Sequence, residues 1–241
     1  MHIHIVNPNS SANMTDLIGK VAERCKSPGT SVDVTRAAMA PVSIEGYTDE
    51  AISVPLMLRE INAAEQRGAQ AHVVACFDDP GIAAAREVAS MPVVGICEAA
   101  VKVALLLSNR FSVVTTLPRS VPIIEDLVVS YGAGRHCRRV RSIDMPVLSL
   151  EENGEKTAQL LKTEILAARH EDRAEAIILG CAGMTDLCES LTEETGILVI
   201  DGVTAAIRLA EAVVGMGYRT SKVGSYAAPL SKVGGFKQKA I

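Results

Sequence analysis

The sequence lacks the features that mark membrane-spanning chains and disulfide-stapled secreted chains. No run approaches the roughly 20 consecutive apolar residues that a membrane-spanning helix needs, and no basic region precedes the first apolar residues. The six cysteines include no C-x-x-C pair of the kind that binds zinc or performs thioredoxin-like chemistry. We therefore predict a cytoplasmic protein with reduced thiols, no metal and no membrane association.

Concentrated basic charge is also scarce. The formal net charge is −4, and the one dense cationic cluster, at residues 135–139, contains no Phe, Tyr or Trp. We interpret this cluster as a solvated loop or the start of a strand, and we expect no nucleic-acid partner. A Ser-His-Asp order and a glycine-rich phosphate loop are absent as well. Any chemistry must therefore come from other residues.

What the chain does contain is a regular alternation of short apolar runs and longer amphipathic stretches. Its 241 residues, 48% of them apolar, are enough to bury a sizeable core. Helices between strands at this rhythm imply parallel strands joined by crossovers. The patterns predict strands at 2–6, 31–35, 71–74, 92–96, 111–115, 137–143, 176–179 and 196–200, helices at 13–25, 50–66, 98–107, 121–129, 151–169 and 203–214, and one helix after each of Cys76 and Cys181.

The second half of the chain repeats the plan of the first. Asn7 precedes Cys76 by 69 positions and Thr115 precedes Cys181 by 66. We predict an α/β protein of two pseudo-symmetric lobes, each a four-stranded parallel sheet flanked by helices. Residues 1–97 and 206–241 would form the first lobe and residues 98–205 the second, with the active site in the cleft between them.

Each predicted lobe carries a cysteine at the end of its third strand. Cys76 precedes Asp78, Asp79 and Pro80, which we interpret as a helix cap followed by a proline in the first turn. The N–H groups and dipole of a helix N-terminus favour an anion, so the thiol is expected to ionise nearer neutrality. Cys181 follows an apolar run in the same way.

Two opposed thiols favour proton transfer at carbon. One thiolate removes a proton beside a carbonyl while the other thiol delivers a proton to the opposite face, which inverts the centre. Backbone N–H groups near Phe77 and Ala182 are natural donors to the oxyanion that forms. The plainer interpretation is that both cysteines are buried structural thiols and that Asp78 only caps a helix.

Several motifs resemble the hydantoin and allantoin racemases of the aspartate/glutamate racemase superfamily, and the resemblance covers the chain nearly end to end. It implies cofactor-independent racemisation at C5 of 5-substituted hydantoins by a two-base mechanism, in which Cys76 and Cys181 are the two acid/base residues. The resemblance is carried by Asn7-Pro8-Asn9-Ser10, Pro41-Val42-Ser43-Ile44-Glu45-Gly46, Cys76-Phe77-Asp78-Asp79-Pro80-Gly81, Val114-Thr115-Thr116 and Gly180-Cys181-Ala182-Gly183-Met184.

The resemblance implies that no cofactor is used, and we further expect a small-molecule substrate, a cyclic ureide such as a hydantoin, and a homo-oligomer. A hydantoin ring is neutral and presents two carbonyls and two N–H groups, which suit Asn, Thr, Ser and backbone amides. Alternatives are an allantoin racemase, an amino-acid racemase or maleate-type isomerase, and a non-catalytic two-lobed binding protein. The expected substrate-binding residues are Asn7, Ser43, Ile44, Phe77, Asp78, Thr115, Thr116, Ala182 and Gly183.

Overall fold

Two parallel four-stranded sheets organise the molecule. The structure is a computed structural model, and it describes residues 1–230 apart from the side chain of Glu151. The strand orders are β2-β1-β3-β4 and β6-β5-β7-β8, so the two sheets have the same topology. The predicted fold class is confirmed.

The strands and helices alternate along the whole chain. Strands are β1 (His2–Asn7), β2 (Ser31–Arg36), β3 (Ala71–Val74), β4 (Val93–Gly95), β5 (Phe111–Thr115), β6 (Cys137–Ser142), β7 (Ala176–Leu179) and β8 (Leu198–Asp201). Helices are α1 (Ala12–Cys25), α2 (Tyr47–Gln66), α3 (Ile82–Val88), α4 (Ile96–Leu107), α5 (Val121–Ser130), α6 (Ser149–Glu152), α7 (Gly154–Ala167), α8 (Cys188–Thr195) and α9 (Gly202–Gly215).

The central strands are buried and mostly apolar, and the two buried histidines of β1 and β3, His4 and His72, contact each other through their Nδ1 atoms at 3.1 Å. β3 and β7 are buried along their full length, as expected where helices cover both sides of a parallel sheet. One hydrophobic cluster joins the two sheets, and it includes Ile3, Ile5, Val73, Phe111, Val113 and Ile178. The halves therefore share a core.

Three predicted helices differ from those in the structure. The helix after Cys76 begins only at Ile82. The stretch predicted as one helix at 151–169 is divided, because Asn153 leaves the helical conformation between α6 and α7. After Cys181, a 3-10 helix over Ala182–Leu187 precedes α8. In each case the strand-to-helix connection is longer or more irregular than periodicity indicates.

The last described helix returns to the first sheet. α9 packs against α1, β3 and β4, and it also crosses α4, which in turn contacts β7. After α9 the chain runs along the surface of the first half: Lys222 donates to the carbonyls of Arg86 and Glu87, and Thr220 donates to that of Met91.

The lobe boundaries at 98 and 206 stay predictions, and residues 231–241 of the first predicted lobe lie outside the described part. None of the helices within residues 1–230 is long and apolar enough to cross a membrane.

Candidate active site

The two cysteines lie on the walls of one cavity at the carboxyl ends of both sheets. Cys76 follows β3 in the first half, and Cys181 follows β7 in the second. The cavity has a volume of about 30 Å³, and residues from both halves line it. We call it the inter-sheet cavity. The thiols are close enough that a charge on Cys181 raises the pKa of Cys76.

Cys76 sits in a loop, not at the start of a helix. Asp79, with φ of 43°, donates its N–H to the Cys76 carbonyl at 3.0 Å and turns the chain away from β3. The N-cap of α3 is Gly81, whose φ of 64° is left-handed and which offers no side chain. The predicted capping of this helix by Asp78 or Asp79 with Pro80 in its first turn is therefore wrong, because the helix starts later.

The position of Cys181 is fixed by the residue before it, Gly180, which lies close against Thr115 of β5. A Cβ at Gly180 would lie 2.9 Å from the Cβ of Thr115, so only glycine fits there. Thr115 donates its hydroxyl to the Gly180 carbonyl at 2.9 Å, and Gly180 donates its N–H to the Val114 carbonyl at 2.8 Å. These contacts fix the backbone that presents the Cys181 thiol to the cavity.

Burial dominates the ionisation of both thiols. It raises the pKa of Cys76 well above its usual value, and the charge of Asp78 raises this pKa further. Burial likewise raises the pKa of Cys181 to about 12. The expectation of ionisation nearer neutrality is wrong, because desolvation outweighs the backbone hydrogen bonds that lower these pKa values.

Each sulfur has one backbone N–H group that opposes this effect. The N–H of Gly183 donates to the Sγ of Cys181 at 3.4 Å and lowers its pKa. The N–H of Asp78 lowers the pKa of Cys76 in the same way. In both halves the donor is two residues beyond the cysteine. The pseudo-symmetry of the fold thus extends to the donors that would stabilise each thiolate.

Most of the expected substrate-binding residues line the inter-sheet cavity, and three do not. Gly183 contacts the Cys181 sulfur from behind, and Ser43 lies half-buried in the loop beside Ile44. Asn7 is fully buried. Those that line the cavity are Ile44, Phe77, Asp78, Thr115, Thr116 and Ala182, together with both cysteines.

Asn7 lies behind the cavity wall and holds Asn9 in place by a hydrogen bond. Its side-chain amide donates to the Oδ1 of Asn9 at 2.8 Å and to the hydroxyl of Thr15 at 3.0 Å. Asn9 itself lines the cavity. The expectation that Asn7 binds substrate is therefore corrected: Asn9, the second asparagine of the Asn-Pro-Asn motif, lines the cavity, whereas the Asn7 amide donates to Asn9 and Thr15.

Sequence reasoning missed six residues of the cavity wall. Ala75 and Gly180 directly precede the cysteines, so their place was predictable from the strand ends. Met14 reads as an ordinary core position of α1, and nothing in its local pattern distinguishes it. The six are Asn9, Met14, Ala75, Ser120, Val147 and Gly180.

Asp78 is the charged residue of the cavity wall, and it is 9% exposed. Burial, followed by the charge of Glu50, raises its pKa to about 7. No group of three or more His, Cys, Asp or Glu side chains that could hold a metal ion occurs among residues 1–230.

Comparison with known proteins identifies the family of this chain. A family model described as Asp/Glu/Hydantoin racemase matches residues 3–210. The chain belongs to this racemase family. The predicted resemblance is thereby confirmed, and so is the enzyme class: the protein is an isomerase.

Individual relatives match the racemase over nearly its whole length. It is 59% identical to a hydantoin racemase from Rhizobium meliloti over 232 residues, with 96% of each chain covered. It is 44% identical to a hydantoin racemase from Pseudomonas sp. (strain NS671), with 96% of this chain and 93% of the relative covered. A solved allantoin racemase from Klebsiella pneumoniae superposes with a TM-score of 0.94 at 43% identity, with 96% and 95% covered.

Proposed function

We propose that this racemase inverts C5 of 5-substituted hydantoins, with Cys76 and Cys181 as the two acid/base groups and without a cofactor. The observation that carries the proposal is that one thiol from each sheet lies on the wall of the same cavity. A carbon held between two such groups loses a proton to one sulfur and receives a proton from the other. The hydantoin racemases at 59% and 44% identity support this substrate class.

The charge of the inter-sheet cavity favours a neutral substrate. Its lining, taken over residues 1–230, includes no Lys or Arg, and its one charged residue is an acid, Asp78. A carboxylate substrate would meet no cation here and would face a like charge above pH 7. An amino-acid racemase or maleate-type isomerase is therefore disfavoured relative to a racemase of cyclic ureides.

The wall of the cavity includes both polar and apolar side chains. Asn9, Thr116 and Ser120 offer hydrogen bonds to ring carbonyls and N–H groups, whereas Ile44 and Val147 are apolar. We infer that the ring contacts the polar side chains and that a hydrocarbon substituent at C5 packs against the apolar ones. Allantoin, which is also neutral, is the second candidate substrate, because an allantoin racemase superposes so well.

The proposed proton transfer needs one thiolate and one thiol. The N–H groups of Asp78 and Gly183 favour the thiolate at either sulfur, and substrate occupying the cavity brings its own N–H groups. The negative charge that develops on a ring carbonyl oxygen would be met by the backbone N–H groups near Phe77 and Ala182. A donor of this kind is typically worth about 10²–10³ in rate.

The test uses single enantiomers of 5-isobutylhydantoin, allantoin and aspartate in deuterated buffer at neutral pH, with a protein-free control for spontaneous exchange. Polarimetry follows inversion, and proton NMR follows loss of the C–H signal. We expect exchange with inversion for the hydantoin and none for aspartate. Faster turnover of allantoin than of the hydantoin would assign the second candidate.

Cysteine variants complete this test. Cys76→Ser and Cys181→Ser should each abolish inversion, yet each should retain exchange for the enantiomer that faces the remaining thiol. Cys137→Ser is the matched control, because that thiol lies on β6 outside the cavity lining. Unchanged inversion in both cavity variants would eliminate the two-thiol mechanism.

The predicted cytoplasmic location and homo-oligomer also remain proposals. All six cysteines are free thiols, which supports a reducing compartment. Leu106, Leu107 and Val129 are large apolar side chains exposed at the ends of α4 and α5, and such side chains support an association surface.

A further inference from the structure

The helix α4 has no capping side chain of its own. Its N-cap is Gly95, and the first N–H groups of the helix donate to another residue, Asp79, at 3.2 Å from Cys97 and 2.8 Å from Glu98. In the second half the corresponding helix, α9, is capped locally, because Asp201 accepts from the N–H of Thr204 at 2.8 Å. The two halves differ at this point.

Gly95 leaves the room that Asp79 occupies. A Cβ at Gly95 would lie 2.3 Å from the carboxyl carbon of Asp79, so any larger residue would push that carboxylate away. Gly95 at the helix start and Asp79 of the distant loop therefore depend on each other: the missing side chain at Gly95 leaves the space in which the Asp79 carboxylate caps the helix. The Asp79 carboxylate accepts from the two N–H groups that a capping side chain at position 95 would satisfy, and these hydrogen bonds partly offset the burial that raises its pKa to about 7.

A third donor comes from the second half of the chain. The hydroxyl of Tyr131, at the end of α5, donates to Asp79 at 2.7 Å. The carbonyl of Tyr131 accepts from Lys102 of α4 at 2.8 Å. The Asp79 carboxylate thus joins α4 and α5, and it is 5% exposed. Hydrogen bonds to a buried carboxylate are among the stronger ones in proteins.

Asp79 belongs to the loop that carries the first cysteine. It lies three residues after Cys76 and donates its N–H to the Cys76 carbonyl at 3.0 Å. Asp78, between them, lines the inter-sheet cavity. Asp79 does not line the cavity, so it does not contact a substrate there. Its side chain instead attaches the loop that carries Cys76 to the start of α4 and to Tyr131.

We propose that Asp79 is a positioning residue for Cys76, because its carboxylate caps α4 in place of a side chain at Gly95 and so holds the loop that carries the thiol. This inference rests on the proposed two-thiol function. It predicts an asymmetric effect: loss of the hydrogen bonds between the Asp79 carboxylate and α4 should displace Cys76 and leave Cys181 in position. A displacement of the order of 1 Å at a reacting group costs up to about 10²-fold in rate.

The decisive variant exchanges the two residues, Asp79→Gly with Gly95→Asp. It gives α4 a local cap of the kind that Asp201 provides for α9, and it keeps composition and charge unchanged, while the loop loses its tie. Glycine at 79 accepts the left-handed φ of 43°. We expect thermal stability close to that of the wild type. Exchange of the enantiomer that depends on Cys76 should fall by at least about tenfold, with exchange through Cys181 nearly unchanged.

Tyr131→Phe is the second variant, because it removes one donor without altering the backbone. It should give a smaller loss biased toward the same enantiomer. Tyr218→Phe, at a 64% exposed tyrosine, is the control. The Cys76→Ser and Cys181→Ser variants identify which enantiomer depends on which thiol.

The outcomes separate the inference from the proposed function. Equal slowing of both enantiomers in the exchanged variant, or no slowing, would overturn the positioning role and leave Asp79 a structural cap. A wild-type protein that exchanges no hydantoin and no allantoin would instead overturn the proposed function. If the exchanged variant had both the thermal stability and the exchange rates of the wild type, the inference would also be contradicted.

Discussion

At the scale of single residues, one acid affects both thiols. Asp78 lies on the cavity wall, and its charge raises the pKa of Cys76 and that of Cys181. Its own pKa is raised to about 7 by burial and by the charge of Glu50. The carboxyl is therefore neutral below about pH 7 and opposes thiolate formation above it. Both thiols ionise in the range where Asp78 is charged.

Asp78→Asn should accordingly make both thiols more acidic. Amide replaces carboxylate with little change of shape, so the pH midpoint for alkylation of Cys76 and Cys181 by iodoacetamide should move to lower pH. The midpoints are measured peptide by peptide by mass spectrometry, because four other cysteines also react.

Asp126→Asn, at an exposed position of α5, is the matched control for loss of one negative charge. It should leave both midpoints in place. If the two acidic replacements had the same effect, the influence of Asp78 would be that of overall charge and not of its location in the cavity.

At the scale of elements, the loop between β2 and α2 forms part of the cavity wall and contacts the other half. Ile44 lines the cavity and is buried, and the carboxylate of Glu45 accepts from the N–H of Val147 in the other half at 2.9 Å. The cavity volume of about 30 Å³ is small for a hydantoin ring. We therefore predict that substrate binding moves this loop away from Val147.

Glu45→Ala should favour the open loop, because it removes the acceptor for Val147. Alkylation of both cavity thiols should become faster than in the wild type. Glu45→Gln is the comparison that isolates this effect, since it removes the charge that raises the pKa of Cys181 yet retains an oxygen acceptor. Equal rates in the two variants would show that charge, not closure, controls access.

The elements also show which parts of the structure a sequence can predict. Apolar runs predicted all eight strands, and their ends predicted both cysteines, because burial and strand termination are local signals. The capping of α4 is not local: Asp79 and Glu98 are 19 positions apart, and no pattern around Gly95 indicates the distant partner. The role of Asn9 depends in the same way on how Asn7 turns.

At the scale of the whole molecule, the two halves are joined by more than the cavity. Their sheets share one hydrophobic cluster, and α4 crosses α9 closely. The repeat of strand, cysteine and helix predicted two similar halves. It did not predict that the corresponding helices α4 and α9 cross each other, because the crossing depends on the shapes of side chains about 105 positions apart. Gly202 lies at the crossing, beside Ile96.

Gly202→Ala should therefore destabilise the fold. A Cβ there would lie 2.5 Å from the carbonyl oxygen of Ile96, which is backbone and cannot swing aside. Overpacking of this kind typically costs about 1–3 kcal/mol, and a chain of this size loses roughly 2–4 °C in Tm for each kcal/mol. Calorimetry or thermal circular dichroism measures the change.

The same helix supplies the control for that prediction. Gly215, the last residue of α9, has no atom within 4 Å of the Cβ that alanine would add. Helix propensity alone then favours alanine by up to about 1 kcal/mol, so Gly215→Ala should leave Tm unchanged or raise it. If both variants lowered Tm equally, the loss would come from helix α9 itself. A selective loss in Gly202→Ala would locate it at the contact that holds the two halves, and with them the two thiols, in register.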